Sequence, residues 1–288
     1  DEENLEINIR PSKEVIKKYF DNNQENSIHF FSGIRGFAFV FDCFKQSLEY
    51  RVKRGIITEA PFTFAFGKTN GKPLLLHKLR FWLQDRKYIQ HINYVFAIGE
   101  KSQKYYKSIS KKWKVIPFIY CTETPREISY AKRDSLRFIF VGNLTPRKSC
   151  ITLIEATKKL TKKSSDFSVE IVGDGIEMEM LRNSGKDIAS DKLNFVGSKK
   201  ISEISNHLAK ADVLVLPSLL DGWGAVVNEA LSMGLFVICS DQCGAKDLVQ
   251  TGINGNVFKT NSVDSLVSNM EWCIINKTKI KDSRNSII

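Results

Sequence analysis

The stretch Val213-Leu214-Val215-Leu216-Pro217-Ser218-Leu219-Leu220-Asp221-Gly222-Trp223-Gly224-Ala225-Val226-Val227-Asn228-Glu229-Ala230-Leu231 decides the fold. Its first four residues form an unbroken apolar run, which reads as a strand buried on both faces, as in a parallel sheet. A loop with one Asp, two Gly and a Trp follows, and a helical pattern opens near Ala225. A strand that passes through a Gly-containing loop into a helix leaves backbone N–H groups unpaired at the helix start. Those groups and the aligned peptide dipoles favour an anion there. Asp221 stands before the helix and Glu229 about one turn inside it, so two carboxylates flank the turn. The segment therefore predicts a site for a nucleotide diphosphate that carries a group rich in hydroxyls.

Outward from this stretch, short apolar runs alternate with amphipathic ones. Residues 136–141, 168–172, 193–196, 213–216, 235–239 and 256–258 read as strands. Residues 147–160, 176–183, 201–210, 225–232, 245–250 and 262–275 read as helices. Such alternation predicts right-handed βαβ units and a doubly wound parallel sheet, with ligands outside the carboxyl ends of the strands. The loops at 142–147, 173–175, 197–199 and 218–224 all fall at those ends. The first part of the chain reads in the same way, with strands at 28–31, 56–57, 94–97 and 115–118. Its helices are expected at 12–20, 37–51, 74–89 and 101–108, and residues 119–134 read as a connection between domains.

Several segments, taken in order, resemble the retaining GT-B glycosyltransferases, especially glycosyltransferase family 4. The family pattern is an acidic residue, seven intervening residues and then Glu, and here Asp221 stands where Glu is usual, with Glu229 in the second place. Phe138-Ile-Phe-Val-Gly-Asn-Leu-Thr-Pro-Arg-Lys148 is similar to the family's strand, Gly loop and basic pair. Val172-Gly-Asp-Gly175, Phe195-Val-Gly-Ser198, Ser240-Asp-Gln-Cys-Gly-Ala245 and Gly252-Ile-Asn-Gly255 are similar to its later turns, so the resemblance covers about residues 134–275. It implies an α/β GT-B architecture of two Rossmann-like domains facing a cleft. The expected division is 1–133 for an acceptor-side domain and 134–288 for the nucleotide-sugar domain. The first domain lacks the opening strand and Gly-rich loop of a full GT-B enzyme, and is expected to be truncated or reduced.

Composition narrows the field further. The chain has 288 residues, enough for two domains. No window approaches the roughly 18–20 apolar residues that a spanning helix requires. The start, Asp1-Glu-Glu-Asn, carries no signal-peptide pattern, so a cytoplasmic protein, peripheral on the inner membrane face, is expected. Six scattered cysteines give no zinc spacing and read as reduced, buried thiols. The net charge of +11 is uneven: residues 1–133 hold 24 Lys and Arg against 14 Asp and Glu, and the remainder hold 19 against 18. An excess of +10 on one side points to an acidic partner, either an anionic membrane surface or a diphosphate-linked acceptor. Nucleic acid is the competing reading of that charge and is not the expected partner. Residues 74–87 mix Leu, Phe and Trp with Lys and Arg, as a helix on an anionic membrane or a core helix with a basic outer face would.

The resemblance assigns roles residue by residue. Arg147 and Lys148 would stabilise the departing diphosphate, an interaction that cations provide well. Both stand at the start of the expected helix, where its dipole disfavours cations, a further hint of an anionic ligand. Asp221 would touch hydroxyls of the transferred sugar, and Glu229 would accept hydrogen bonds from the ribose diol. Gly142, Asn143, Gly222, Gly224, Ala225 and Val226 would bring backbone close to the phosphates. Ser198 and Lys199 lie where the family places the nucleobase. Trp223 reads either as core or as a wall beside the sugar. On the acceptor side the candidates are Gly33, Arg35, Glu59 and His77. No metal and no cofactor are expected; the donor nucleotide-diphosphate sugar and a glycan or lipid-linked acceptor are the partners. The activity so implied is retaining transfer of a sugar to an acceptor hydroxyl, in cell-surface polysaccharide or lipid-linked glycan synthesis. A non-catalytic nucleotide-sugar-binding module and a GT-B nucleotide-sugar epimerase are the alternatives.

Overall fold

The structure is a computed structural model that describes residues 11–22, 27–33, 37–60, 79, 83, 86–122, 134–282 and 284. The chain divides into two compact units, residues 1–119 and 120–288.

The first unit contains α1 (Lys13–Asn22), β1 (Ile28–Phe31), α2 (Ala38–Ser47), β2 (Lys53–Thr58), β3 (Tyr94–Ile98), α3 (Glu100–Ile109) and β4 (Lys114–Phe118). Its four strands pair in parallel in the order β1-β2-β3-β4. Each crossover thus steps in the same direction, and right-handed connections then put the crossover helices on one face. The apolar cluster of this unit, with Phe31, Phe44, Ile56, Val95, Tyr105 and Trp113, includes residues from both strands and helices. On the opposite sheet face Phe30, Phe96 and Phe118 meet edge to face, with centroids 5.0 and 5.6 Å apart. Strand β2 is longer than the apolar pair 56–57 predicts, because Arg54 interrupts the run without leaving the sheet. Its buried guanidinium donates to Ser47 Oγ (2.9 Å), Val52 O (2.9 Å) and Tyr50 O (2.8 Å), and also to Ser47 O. Carbonyls at the end of α2 thereby gain a cation, the favoured partner of a helix C-terminus.

The second unit contains β5 (Leu136–Val141), α4 (Cys150–Thr161), β6 (Phe167–Val172), α5 (Met178–Gly185), β7 (Leu193–Gly197), α6 (Ile201–Ala209), β8 (Val213–Leu216), α7 (Val226–Ser232), β9 (Phe236–Ser240), β10 (Gly255–Phe258), α8 (Val263–Ile275) and α9 (Lys277–Asp282). The six strands are parallel in the order β10-β9-β8-β5-β6-β7. This is the doubly wound pattern in which the first strand lies centrally and the winding reverses beside it. The reversal falls between β5 and β8, where Phe138 pairs with Val213 and Ile139 with Leu214. Every residue of β8 and β9 is buried, as their continuous apolar runs predict. Helix α8 packs on α4 and starts at Ser262, whose hydroxyl accepts from Ser265 N at 3.2 Å.

Three helical expectations change, and the first is the helix expected at 37–51, which ends at Ser47. The helix expected at 147–160 begins at Cys150, because Ser149 takes a left-handed conformation (φ 49°) and holds the basic pair in the turn before it. The helix expected at 245–250 is a five-residue 3₁₀ segment, Gly244–Leu248.

Candidate functional site

The loops at the carboxyl ends of the second sheet are joined by backbone hydrogen bonds that run across the sheet in strand order. After β6, Gly173 N donates to Gly197 O at the end of β7 (2.9 Å). After β5, Leu144 N donates to Asp174 O (2.8 Å). After β8, Leu219 N donates to Arg147 O (2.9 Å), and Asp221 N to Gln242 O beyond β9 (3.2 Å). Residues far apart in sequence thus share one frame, centred on the switch point where open α/β sheets take their ligands.

The basic pair and the acidic residue meet in this frame. Lys148 Nζ lies 2.5 Å from Asp221 Oδ2, and Arg147 Nη1 lies 3.6 Å from Asp221 Oδ1 and 2.9 Å from Leu220 O. The Lys148 and Asp221 side chains are 13% and 11% exposed, whereas that of Arg147 is 41% exposed. The expectation that both cations lie within a helix start is corrected: they belong to the turn that ends at the N-cap Ser149, just outside the positive end of the helix. The backbone of Asp221 is fixed twice, through the bond to Gln242 and through Gly244 N, which donates to Asp221 O at 3.0 Å. This second loop had no role assigned from the sequence. The signal for it is Gly244, where a Cβ would come within 2.0 Å of Gly222 O.

Beyond Asp221 the chain turns through Gly224 (φ +90°), where a Cβ would lie 2.8 Å from Cys243 Sγ and 2.9 Å from Leu216 Cδ2. Gly224→Ala should therefore cost stability on the order of 1–3 kcal/mol. Urea unfolding checks this, and an unchanged midpoint would show that the turn relaxes freely. Among the described residues, the backbone N–H groups of Gly224, Ala225 and Val226 have no acceptor. Helix α7 has only seven residues, so these individual donors, rather than a long dipole, are what the turn offers an anion.

Glu229 lies in the first turn of α7, half-buried, and its carboxylate has no partner among the described residues. Burial raises its pKa above the ordinary value. Trp223 is 1% exposed and its indole N–H donates to Asn228 Oδ1 at 2.7 Å, which fits the core reading and not a wall beside a sugar. Asn228 also donates to Tyr120 O at 2.8 Å. Gly142 is half-buried and Asn143 exposed in the loop after β5, and Ser198 is exposed just after β7.

The first unit holds Gly33 and Glu59 just beyond the carboxyl ends of β1 and β2. Gly33 has φ +71° and its N–H lies within bonding distance of Phe31 O and Ile57 O. Arg35 and His77 lie outside the described residues, as does most of the helix expected at 74–89. No group of three or more His, Cys, Asp or Glu among the described residues is arranged to hold a metal ion. No described helix is long and apolar enough to cross a membrane.

Two parallel α/β sheets, one with a polar loop cluster at its switch point, define a Rossmann-like protein of two units. The chain belongs to the family Glycosyl transferases group 1, whose pattern matches residues 122–288. Over 180 residues it is 31% identical to the UDP-Gal:alpha-D-GlcNAc-diphosphoundecaprenol alpha-1,3-galactosyltransferase of Escherichia coli, a match covering 61% of this chain and 46% of that protein. It is also 31% identical over 150 residues to an uncharacterized glycosyltransferase of Haemophilus influenzae, covering 51% of this chain and 41% of the relative. The chain thus spans less than half the length of these two relatives. Its fold is that of the GT-B glycosyltransferases: Anabaena HepE, solved with UDP and glucose, superposes with a TM-score of 0.67 at 16% identity, over 95% of this chain and 76% of the other.

Proposed function

We propose that this protein is a retaining glycosyltransferase of the family 4 type, moving a sugar from a nucleotide-diphosphate sugar to an acceptor hydroxyl in polysaccharide or lipid-linked glycan synthesis. The observation that carries the reading is the meeting of Arg147 and Lys148 with Asp221 at the switch point, just before a turn whose N–H groups at residues 224–226 are unpaired and a helix that carries the unpartnered Glu229. Each matches one demand of the reaction. The departing diphosphate gains negative charge as the glycosidic bond breaks, and preorganised cations and N–H donors stabilise that charge. A vicinal diol donates two hydrogen bonds, and an ionised carboxylate only accepts. In front-face transfer the leaving phosphate takes the acceptor proton, so no separate protein base is needed.

The relatives support the chemistry: one is named for a UDP-galactose donor and a diphosphoundecaprenol-linked acceptor. The excess of +10 in residues 1–133 favours an acceptor presented at an anionic membrane surface.

The test titrates a panel of UDP, GDP and ADP sugars. Transfer is then followed to glycan acceptors and to lipid-linked acceptors in neutral or anionic vesicles, with and without EDTA. We expect transfer with retained anomeric configuration, undiminished by EDTA and faster on anionic vesicles. Donor binding without transfer to any acceptor would leave a binding module. A changed sugar from donor alone would indicate an epimerase. A strict need for divalent ions would overturn the metal-independent mechanism.

A further inference from the structure

We propose that the amino end of the first sheet is a docking face for an anionic lipid surface. This rests on the reading above, which brings the acceptor on such a surface, and deepens it by naming the face. The charge of the first unit is gathered rather than spread. Because its four strands are parallel, the stretches that enter β2, β3 and β4 meet at one end. Residues 49–53, 86–93 and 107–114 hold eight Lys and Arg against one acid, Glu49, so most of the excess positive charge falls there. The stretches at the opposite end, 32–36, 58–60, 99–101 and 119–122, hold two charges of each sign and balance. Hydrogen bonds tie the basic stretches together. Asn93 N donates to Arg54 O (2.8 Å), Lys114 N to Asn93 O (3.1 Å), and the Trp113 indole to Ile89 O (3.0 Å). Arg51, Lys53, Lys111, Lys112 and Lys114 are all exposed, and none of the five forms an ion pair among the described residues.

Unpaired like charges on one face repel one another, and an anionic surface relieves that repulsion. The face lies at the far end of the sheet from the loops that carry Gly33 and Glu59. These cations therefore do not line a pocket beside those loops, and the diphosphate of a single acceptor does not account for them. Lipid fits the face better than nucleic acid. Single strands are gripped by exposed aromatic rings set among the cations, whereas Tyr88 and Trp113 are buried here. Lys, a flexible point charge, outnumbers Arg in the three stretches, and bidentate phosphate contacts favour Arg. A bilayer asks only that the cations stand within a Debye length of its charged headgroups. An apolar contact is at hand as well. Leu83 is helical and 65% exposed, three and four positions before the exposed Arg86 and Lys87, the spacing of one helix side.

The test is co-sedimentation of the whole 288-residue chain with vesicles of phosphatidylcholine alone, or of phosphatidylcholine mixed with phosphatidylglycerol, at low and physiological salt. We expect binding to the mixed vesicles only, weakened by salt. One Lys near such a surface is worth about fivefold in binding. Replacing Lys111, Lys112 and Lys114 together by Gln should therefore lower binding by roughly 100-fold or more. A control replaces Lys186, Lys210 and Lys259 by Gln, exposed lysines of the second unit, and removes the same charge. It should bind as wild type does. Thermal unfolding accompanies each variant. If the triple variant does not fold, Lys111→Gln with Lys112→Gln, both in the turn before β4, should still show a loss of about 25-fold. Equal losses in the two triple variants would overturn the proposal, since net charge and not a face would then govern binding. Equal binding to neutral vesicles, or none to either kind, would also overturn it. Tighter binding of a single-stranded RNA, abolished by the first triple, would assign the face to nucleic acid instead. Sedimentation reads binding and not transfer, so failure here leaves the glycosyltransferase reading standing, and absent transfer leaves the docking face standing.

Discussion

Lys148→Ala is expected to lower the rate of the proposed sugar transfer by roughly 100-fold or more, on the scale of removing one group that stabilises charge in a transition state. Arg147→Ala also lowers it, by a smaller factor. The difference follows from surroundings. Lys148 is 13% exposed and lies between two loops, whereas Arg147 is 41% exposed, so water screens Arg147 more. Much of the loss should fall on kcat, because the leaving diphosphate carries more charge in the transition state than the bound donor does. Steady-state kinetics on both variants check this. Wild-type kcat in both would remove the basic pair from the chemistry.

Glu229→Gln has two effects of opposite sign. Donor affinity is expected to fall by about 10- to 100-fold, the value of hydrogen bonds to a charged acceptor. Stability of the ligand-free protein rises at neutral pH. Burial lifts the Glu229 pKa above the ordinary 4.5, so the folded state resists ionisation more than the unfolded one. The stability associated with the neutral carboxyl is present below pH 4.5 and is lost as pH climbs through the raised value. Gln cannot ionise, so the variant should melt higher than wild type at pH 7 and level with it near about pH 4. Melting curves across that range, together with donor titration, test both halves. A variant that binds donor normally would break the link between Glu229 and the ribose.

The architecture was legible because buried parallel strands are written as unbroken apolar runs. The segments 136–141 and 213–216 match β5 and β8 residue for residue. Strand order was not written that way. The pairing of Phe138 with Val213 joins residues 75 positions apart, and periodicity within a window says nothing about such a partner. The site was legible as a set of residues but not as a set of contacts. Arg147, Lys148, Asp221 and Glu229 could be named from their order along the chain. That Asp221 meets the two cations, that Trp223 is spent on Asn228, and that the loop after β9 braces the turn depend on tertiary packing. The late start of α4 was missed because a single left-handed residue, Ser149, ends the turn without any Gly or Asn to announce it.

The lattice of bonds that ties Gly173, Leu144, Leu219 and Asp221 to their neighbours is made of peptide groups alone. Every amino acid except proline carries the same donor, and every one carries the same acceptor. Mutational drift in the side chains can then proceed without disturbing the scaffold that holds the reacting parts. It also means that new sugar preferences can arise by repainting the rim while the frame beneath stays as it was.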